Sequence, residues 1–291
     1  MVIKGNLQER IFENWTKMFQ EGVNWLESEK KEFSSKNSRF KFWVFFNTLK
    51  EKYYKDKAAE KYSKDASPFR TTLEQKDKYI CYEHLIIRPT MTPMSGGHII
   101  IITEEVRPEI LLKDFLVLHK MSVNTDYTIV VNLRKSGASV PSHFHAQGQL
   151  LEYPVTSSKY GAEFEKIHSD KEVQLDRLIY PAYGLRIKTK DIGKLEKLGM
   201  CLERCQLEHP FNLLMPKGDI FIYPRSNETS SLFGGWYTGV QEMGGLFCAK
   251  TRQISDALNY EICERILKET TYSEKDQRKK FEELIMGALY D

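Results

Sequence analysis

A repeated rhythm limits what this chain can fold into. Between residues 78 and 268, strand-like segments and a helix-like segment occur once and then recur, more weakly, roughly 75–80 residues later. The first round reads as strands at 79–88, 98–102, 127–132 and 143–153, with a helix over 107–121. Ile99-Ile100-Ile101-Ile102 is a dense β-branched run of the kind that favours a pleated, buried surface. The second round follows a linker at 156–172, with strands at 178–187, 211–215 and 219–224 and a helix over 192–208. A further strand is expected within 235–250, and helices at 255–268 and 273–290. Turn signals such as Thr92-Pro93-Met94-Ser95-Gly96-Gly97 separate the strands. The pattern predicts an α+β fold, with antiparallel sheets and flanking helices in two related halves.

Residues 7–66 differ. Ile11, Trp15, Met18, Phe19 and Trp25 recur mostly at three- and four-residue steps. Phe42, Val44, Phe45, Phe46, Leu49 and Tyr53 mark a second stretch at 38–62, which then turns charged over 55–64. The expectation is an N-terminal helical extension over 1–70, a first half over 71–156 and a second half with C-terminal helices over 157–291. The aromatic clusters Phe40–Phe46 and Tyr53-Tyr54 are expected in the core or in a subunit interface, which leaves room for a homodimer.

Charge narrows the partners. Forty-three basic and 40 acidic residues leave a net charge of +3, no electrostatic footprint for nucleic acid. No apolar run approaches the roughly 20 residues of a membrane span. Residues 1–10 lack the apolar core of a signal peptide, and five scattered cysteines do not form a disulfide framework, so a cytoplasmic setting is expected.

The chemistry concentrates in Ser142-His143-Phe144-His145-Ala146-Gln147. On a strand over 143–151, His143, His145, Gln147 and Gln149 share one face, and Phe144, Ala146, Gly148 and Leu150 the other. Four polar side chains in a row demand partners, and the phosphate of a nucleotide would satisfy them. A neutral imidazole is a competent nucleophile near pH 7. Its attack on an α-phosphate would give a nucleotidyl-histidine for a second substrate to discharge. The preceding loop, Lys135-Ser136-Gly137-Ala138-Ser139, offers backbone N–H groups and hydroxyls suited to phosphate. His-x-His is also a metal pair, although no third ligand lies nearby in sequence. Cys201, Cys205 and His209 fall at i, i+4 and i+8, where packed thiols compete with a metal face; Cys81 and His84 read the same way.

The His-Phe-His-Ala-Gln run resembles the His-x-His-x-Gln signature of the histidine-triad superfamily, in its transferase branch. That branch includes galactose-1-phosphate uridylyltransferase, diadenosine tetraphosphate phosphorylase and the GDP-hexose phosphorylases. Three further stretches are similar: Ser95-Gly96-Gly97-His98 with the isoleucine run, Asn132 eleven residues before His143, and Gly239-Val240-Gln241-Glu242-Met243 with Thr251-Arg252. The resemblance covers about residues 78–268 and implies a nucleotidyltransferase or phosphorylase. It implies His145 as nucleophile, His143 as its support and Gln147 as the phosphate-holding residue that favours transfer over hydrolysis. Asn132, Lys135, Ser139, Ser142, Gln149 and Glu242 are the substrate-binding candidates. Val140 stands where the family places a serine, and Ser139 one position earlier. Glu242 has two roles open to it, contact with ligand or tying the second half together, and His98 is expected to pack at the start of its strand. The implied partners are a nucleotide substrate, either a dinucleoside polyphosphate or an NDP-sugar, and a phosphate or sugar-phosphate acceptor. No cofactor is required, and a divalent metal can be accommodated. The competing readings are a nucleotide hydrolase and a non-catalytic nucleotide- or metal-binding module.

Overall fold

The computed structural model describes residues 6–19, 29–35, 38–48, 51, 69–90, 93–94 and 96–290. A ten-stranded sheet, antiparallel throughout, dominates them. In chain order the first half contributes β3 (Ile80–Tyr82), β4 (Leu85–Pro89), β5 (Ile99–Thr103), helix α3 (Leu112–Asn124), β6 (Thr128–Asn132) and β7 (His145–Gln149). The second half contributes β8 (Glu163–Ser169), β9 (Val173–Ile179), β10 (Leu185–Thr189), helix α4 (Ile192–Cys205), β11 (Phe211–Met215) and β12 (Ile220–Pro224).

Counted inward from its own edge, each half has one strand order: β3-β4-β5-β7-β6 and β8-β9-β10-β12-β11. The halves meet where β6 pairs antiparallel with β11, with Asn132 opposite Asn212 and Val130 opposite Leu214. The weak sequence rhythm is therefore a duplicated topology. The two copies are related by a local two-fold perpendicular to the sheet.

Alternation along the strands separates two cores. One face of the sheet sends Ile99, Ile101, Ile129, Val131, Ala146, Leu213 and Ile222 against Phe115 and Leu118 of α3 and Leu198 and Leu202 of α4. Asp191 caps α4, its side chain accepting from Lys194 N at 2.8 Å. The other face, in the second half, sends Leu214, Phe221 and Tyr223 against Phe42, Phe233, Met243 and Phe247. In the first half that face carries the polar row.

The N-terminal region departs from the helical expectation. Helix α1 (Leu7–Phe19) forms as the spacing predicts, but Glu29–Ser35 and Ser38–Phe46 are strands β1 and β2. They make a three-stranded sheet with β13 (Leu246–Ala249), β1 antiparallel to β2 and β2 parallel to β13. Phe42, Trp43, Val44 and Phe46 are all buried, and a short apolar run buried on both faces is periodically ambiguous between helix and strand. Its aromatic and β-branched content, with a partner just over 200 residues away, selects the strand. The expectations for Trp25, Leu49, 52–66, Thr92 and Ser95 lie outside the described residues. Three smaller shifts follow from turns. The 79–88 strand is a hairpin turned at Glu83 (φ 55°), the 178–187 strand is two strands, and the expected linker at 156–172 contains β8. The C-terminal part carries α5 (Val240–Met243), α6 (Arg252–Ala257), α7 (Tyr260–Thr270) and α8 (Lys275–Tyr290), after the short α2 (Arg70–Glu74) nearer the N-terminus.

Candidate active site

Strand β7 is shorter than expected. His143 precedes it in a turn, with its N–H bonded to Val140 O at 3.3 Å, and pairing begins at His145. His143 therefore does not belong to the β7 row, which is His145, Gln147 and Gln149. The entry to the strand is held from below. Phe144 N donates to Arg107 O at 2.5 Å, and Arg107 Nη2 donates to Asp114 Oδ2 at 2.5 Å. Asp114 is fully buried and also accepts from Leu111 N and His84 Nε2, each at 2.8 Å. His84 is thus a support of the loop before α3.

The two histidines end in different environments. His143 Nε2 donates to Thr103 O at 2.8 Å, and burial lowers its pKa. His145 Nδ1 donates to the backbone O of His143 at 3.0 Å. This bond places the proton on Nδ1 and makes Nε2 the nitrogen that carries the lone pair. Ser139 Oγ is 3.3 Å from Nε2 and donates to it. Burial pushes the His145 pKa down to about 4, with the positive charges of His143 and Arg88 adding to the effect. The imidazole is neutral at physiological pH. Phe69, just before α2, lays its ring 5.3 Å from each imidazole and shields both. Ile86 and Ile102, which pair across β4 and β5, form the apolar floor beneath Phe69.

Gln147 is oriented by a residue the sequence places only as packing. Met94 N–H donates to His98 Nδ1 at 3.0 Å, so that nitrogen accepts and Nε2 carries the proton. His98 Nε2 then donates to Gln147 Oε1 at 2.9 Å, and Gln241 Nε2 donates to the same oxygen at 3.2 Å. With its oxygen engaged, Gln147 presents its amide N–H groups as the free donors. Gln149 Nε2 lies 3.3 Å from His98 Nε2 and 3.4 Å from Gln147 Oε1. The tautomer makes the second of these the hydrogen bond. Tyr153 OH donates to Gln149 Oε1 at 2.7 Å, so Gln149 backs the row. Replacing His98 by Phe is expected to slow the chemical step about 10- to 100-fold at an unchanged thermal midpoint. His98→Asn, which can still donate to Gln147, should recover part of the rate; equal rates for Phe and His at this position would remove the positioning role.

Asn132 is clamped. Its Oδ1 accepts from Val240 N at 2.7 Å and Asn212 Nδ2 at 2.8 Å, which leaves its Nδ2 donors for a ligand. Gly239 makes the clamp close, since a Cβ there would lie 2.9 Å from Asn132 Oδ1. The loop after Asn132 crosses the second half at Gly137, where φ is +86° and a Cβ would lie 2.1 Å from Thr238 O. Gly137→Ala is expected to cost about 2–4 kcal/mol in denaturant unfolding. A cost under about 0.5 kcal/mol would show that the loop can relax away.

Three candidates sit apart from this cluster. Lys135, in the left-handed region at φ 65°, is exposed and lines a small pocket with Pro108, Arg134 and Leu207. Ser142 is exposed in the turn before His143. Glu242 is 4% exposed and both its oxygens accept backbone N–H groups, from Gly239 at 2.7 Å and Cys248 at 3.1 Å. Of its two open roles the structure shows the tying one, between α5 and β13, despite burial that raises its pKa. Cys201 and Cys205 donate to Leu284 O and Leu202 O, and His209 Nδ1 meets Tyr272 OH at 2.9 Å. Among the described residues no three His, Cys, Asp or Glu side chains converge as a metal site. No described helix is long and apolar enough to cross a membrane.

Sequence reasoning missed Phe69, Arg225 and Arg88. Arg225 is 2% exposed and joins the halves, donating to Thr270 O, Asn212 Oδ1, Thr238 O, Ser136 O, Asn227 O and Thr238 Oγ1. A lone arginine after a strand gives no sequence signal of such a role.

No family model matches the chain, and no curated protein matches its sequence. Solved structures do match. Yeast Ap4A phosphorylase in complex with Ap4A aligns at a TM-score of 0.63 and 15% identity, over 93% of this chain and 99% of that one. The same yeast enzyme in complex with AMP aligns at 0.60 and 15% identity, over 94% and 100%. Without a named ligand it aligns at 0.62 and 14% identity, over 93% and 96%. The chain therefore shares the α+β fold of that yeast phosphorylase.

Proposed function

We propose that this chain is a nucleotidyltransferase acting as a phosphorylase. His145 Nε2 would take an NMP group from a dinucleoside polyphosphate or an NDP-sugar and pass it to a phosphate-bearing acceptor. The observation that carries this reading is the His145 geometry. Nδ1 is committed to the His143 carbonyl, and a neutral Nε2 lies beside a serine hydroxyl and two residues from an oriented amide. In the first step Nε2 attacks the α-phosphorus, the P–O bond to the leaving group breaks, and the leaving phosphate carries away the electron pair. Gln147 and Asn132 would donate to the non-bridging oxygens, where negative charge accumulates. In the second step an acceptor oxygen attacks the same phosphorus and the pair returns to Nε2. The Asn132–Gly239 clamp and the shared fold with a phosphorylase that binds Ap4A and AMP support the same reading. Phe69 over the imidazoles favours transfer to a bound acceptor over hydrolysis, because it excludes water. The chemistry needs no resident cofactor, and a divalent cation would arrive with the polyphosphate. A cytoplasmic setting belongs to this reading, with all five cysteines as free thiols.

Intact mass after incubation with a panel of NTPs, NDP-sugars and diadenosine polyphosphates tests the proposal. An adduct of one NMP, labile in acid and stable in base, is expected with at least one donor. No adduct with any of them would overturn the mechanism. The pH dependence has a definite sign. A group held at about 4 by burial is deprotonated and reactive above that value and loses its lone pair below it. The rate of adduct formation should therefore be flat from pH 6 to 8, where a histidine of ordinary pKa, about 6.5, would still be titrating. A midpoint near 6.5 in that rate would show that His145 is hydrated at the moment of attack.

A further inference from the structure

Strands β3, β4, β5, β6 and β7 contain a single lysine or arginine, Arg88. Its register is informative. Arg88 is opposite Ile100, and Ile100 is opposite Gln147, so the three form one cross-strand row. Paired residues share a face of the sheet, which puts Arg88 on the face of Gln147 and His145. Two strand spacings, about 9.6 Å, separate the Arg88 and Gln147 backbones, with Ile100 as the floor between them. The guanidinium lies 5.8 Å from the Phe69 ring, and that ring lies 5.3 Å from the His145 imidazole. A half-buried cation thus flanks the same Phe69 ring as the nucleophile.

The reaction proposed above requires an anion on this side of the nucleophile, where the Phe69 ring must turn aside to admit it. Attack on the α-phosphorus is in line, so the leaving group departs on the side away from Nε2. Discharge by phosphate is the reverse of that step, and the acceptor must stand where the leaving phosphate stood. A phosphate there needs a cation, and Arg88 is the one basic residue that the strands β3 to β7 place on the face of His145 and Gln147. We propose that Arg88 holds the phosphate that leaves in the first half-reaction and the one that attacks in the second. The acceptor is then a phosphate dianion or the terminal phosphate of a larger molecule, not water and not an uncharged alcohol. A planar guanidinium can engage two phosphate oxygens at once, a geometry a lysine does not reproduce.

The inference rests on the nucleotidyl-histidine reading, and the experiment separates the two. Adduct formed with Ap4A is isolated and chased with inorganic phosphate or with buffer, in the wild type, Arg88→Lys and Arg88→Met. In Arg88→Met the half-saturating phosphate concentration should rise about 10- to 100-fold, the loss expected for a charge-assisted pair. Arg88→Lys should lie between, and discharge by water should be the same in all three. Phosphate dependence within about two-fold of wild type in Arg88→Met would overturn the assignment. A second arm needs no covalent chemistry. Binding of tripolyphosphate is measured by calorimetry on His145→Asn, with and without Arg88→Met. Affinity that falls with Arg88→Met supports the phosphate site even if the wild type forms no adduct, in which case only the nucleotidyl-histidine reading fails. No binding, or equal binding, overturns the Arg88 assignment whatever the adduct experiment shows. Circular dichroism and the thermal midpoint of each variant establish that the comparisons are between folded proteins.

Discussion

Replacement of His145 by asparagine is expected to abolish the NMP adduct and to lower turnover by at least about 10⁴-fold, as for loss of any covalent nucleophile. Asparagine is the informative substitute because its amide can still donate to the His143 carbonyl, as Nδ1 does at 3.0 Å. It lacks only the reactive lone pair. A protein that keeps its thermal midpoint and loses the adduct would locate the chemistry at Nε2. His143→Asn should have a smaller effect, since His143 donates to Thr103 O and acts on the neighbouring strand, away from the phosphate. An adduct that persists undiminished in His145→Asn would end the proposal. So would equal losses of tight nucleotide binding and of turnover in a protein that never forms an adduct, which would favour a binding module.

Arg225→Met is expected to destabilise the fold by about 3–5 kcal/mol in denaturant unfolding. Burial lowers the Arg225 pKa to about 10, so the side chain remains a cation at pH 7 in the centre of the molecule. The nearby Glu242 and Glu228 carboxylates favour the cation, and five backbone or amide carbonyls from four separate stretches of chain solvate it. Methionine keeps the apolar stem and leaves those acceptors buried without a donor, at about 1–3 kcal/mol for each that finds no water. The effect should reach the active site. Arg225 and Asn212 both donate to Ser136 O, and Asn212 also donates to Asn132. Loss of the cation therefore loosens the loop that carries Ser139 toward His145. A cost below about 1 kcal/mol would mean that water replaces the guanidinium.

The first half was largely legible in the sequence because its information is local. Period-two alternation puts His145, Gln147 and Gln149 on one face, and the strand does so. Ile99–Thr103 and Thr128–Asn132 are strands because their β-branched residues pack on a sheet wherever it lies. The N-terminal region was not legible. The Ser38–Phe46 strand takes its identity from pairing with Leu246–Ala249, and no window around residue 40 contains that partner. His143 left the strand row for a similar reason, because Arg107 binds the chain at Phe144 and turns it.

By itself, the sequence determined the duplicated α+β architecture, the strand that carries His145, Gln147 and Gln149, and their order along it. Each of these follows from residue type and spacing, which act over a few bonds. Only the tertiary structure decided the protonation and reach of each group. The His143 carbonyl sets the tautomer of His145, the Met94 amide sets that of His98 and through it the orientation of Gln147, and Phe69 packs against the His145 imidazole. These are hydrogen bonds and contacts between segments up to about 75 residues apart, and their free energies exist only once the chain is folded.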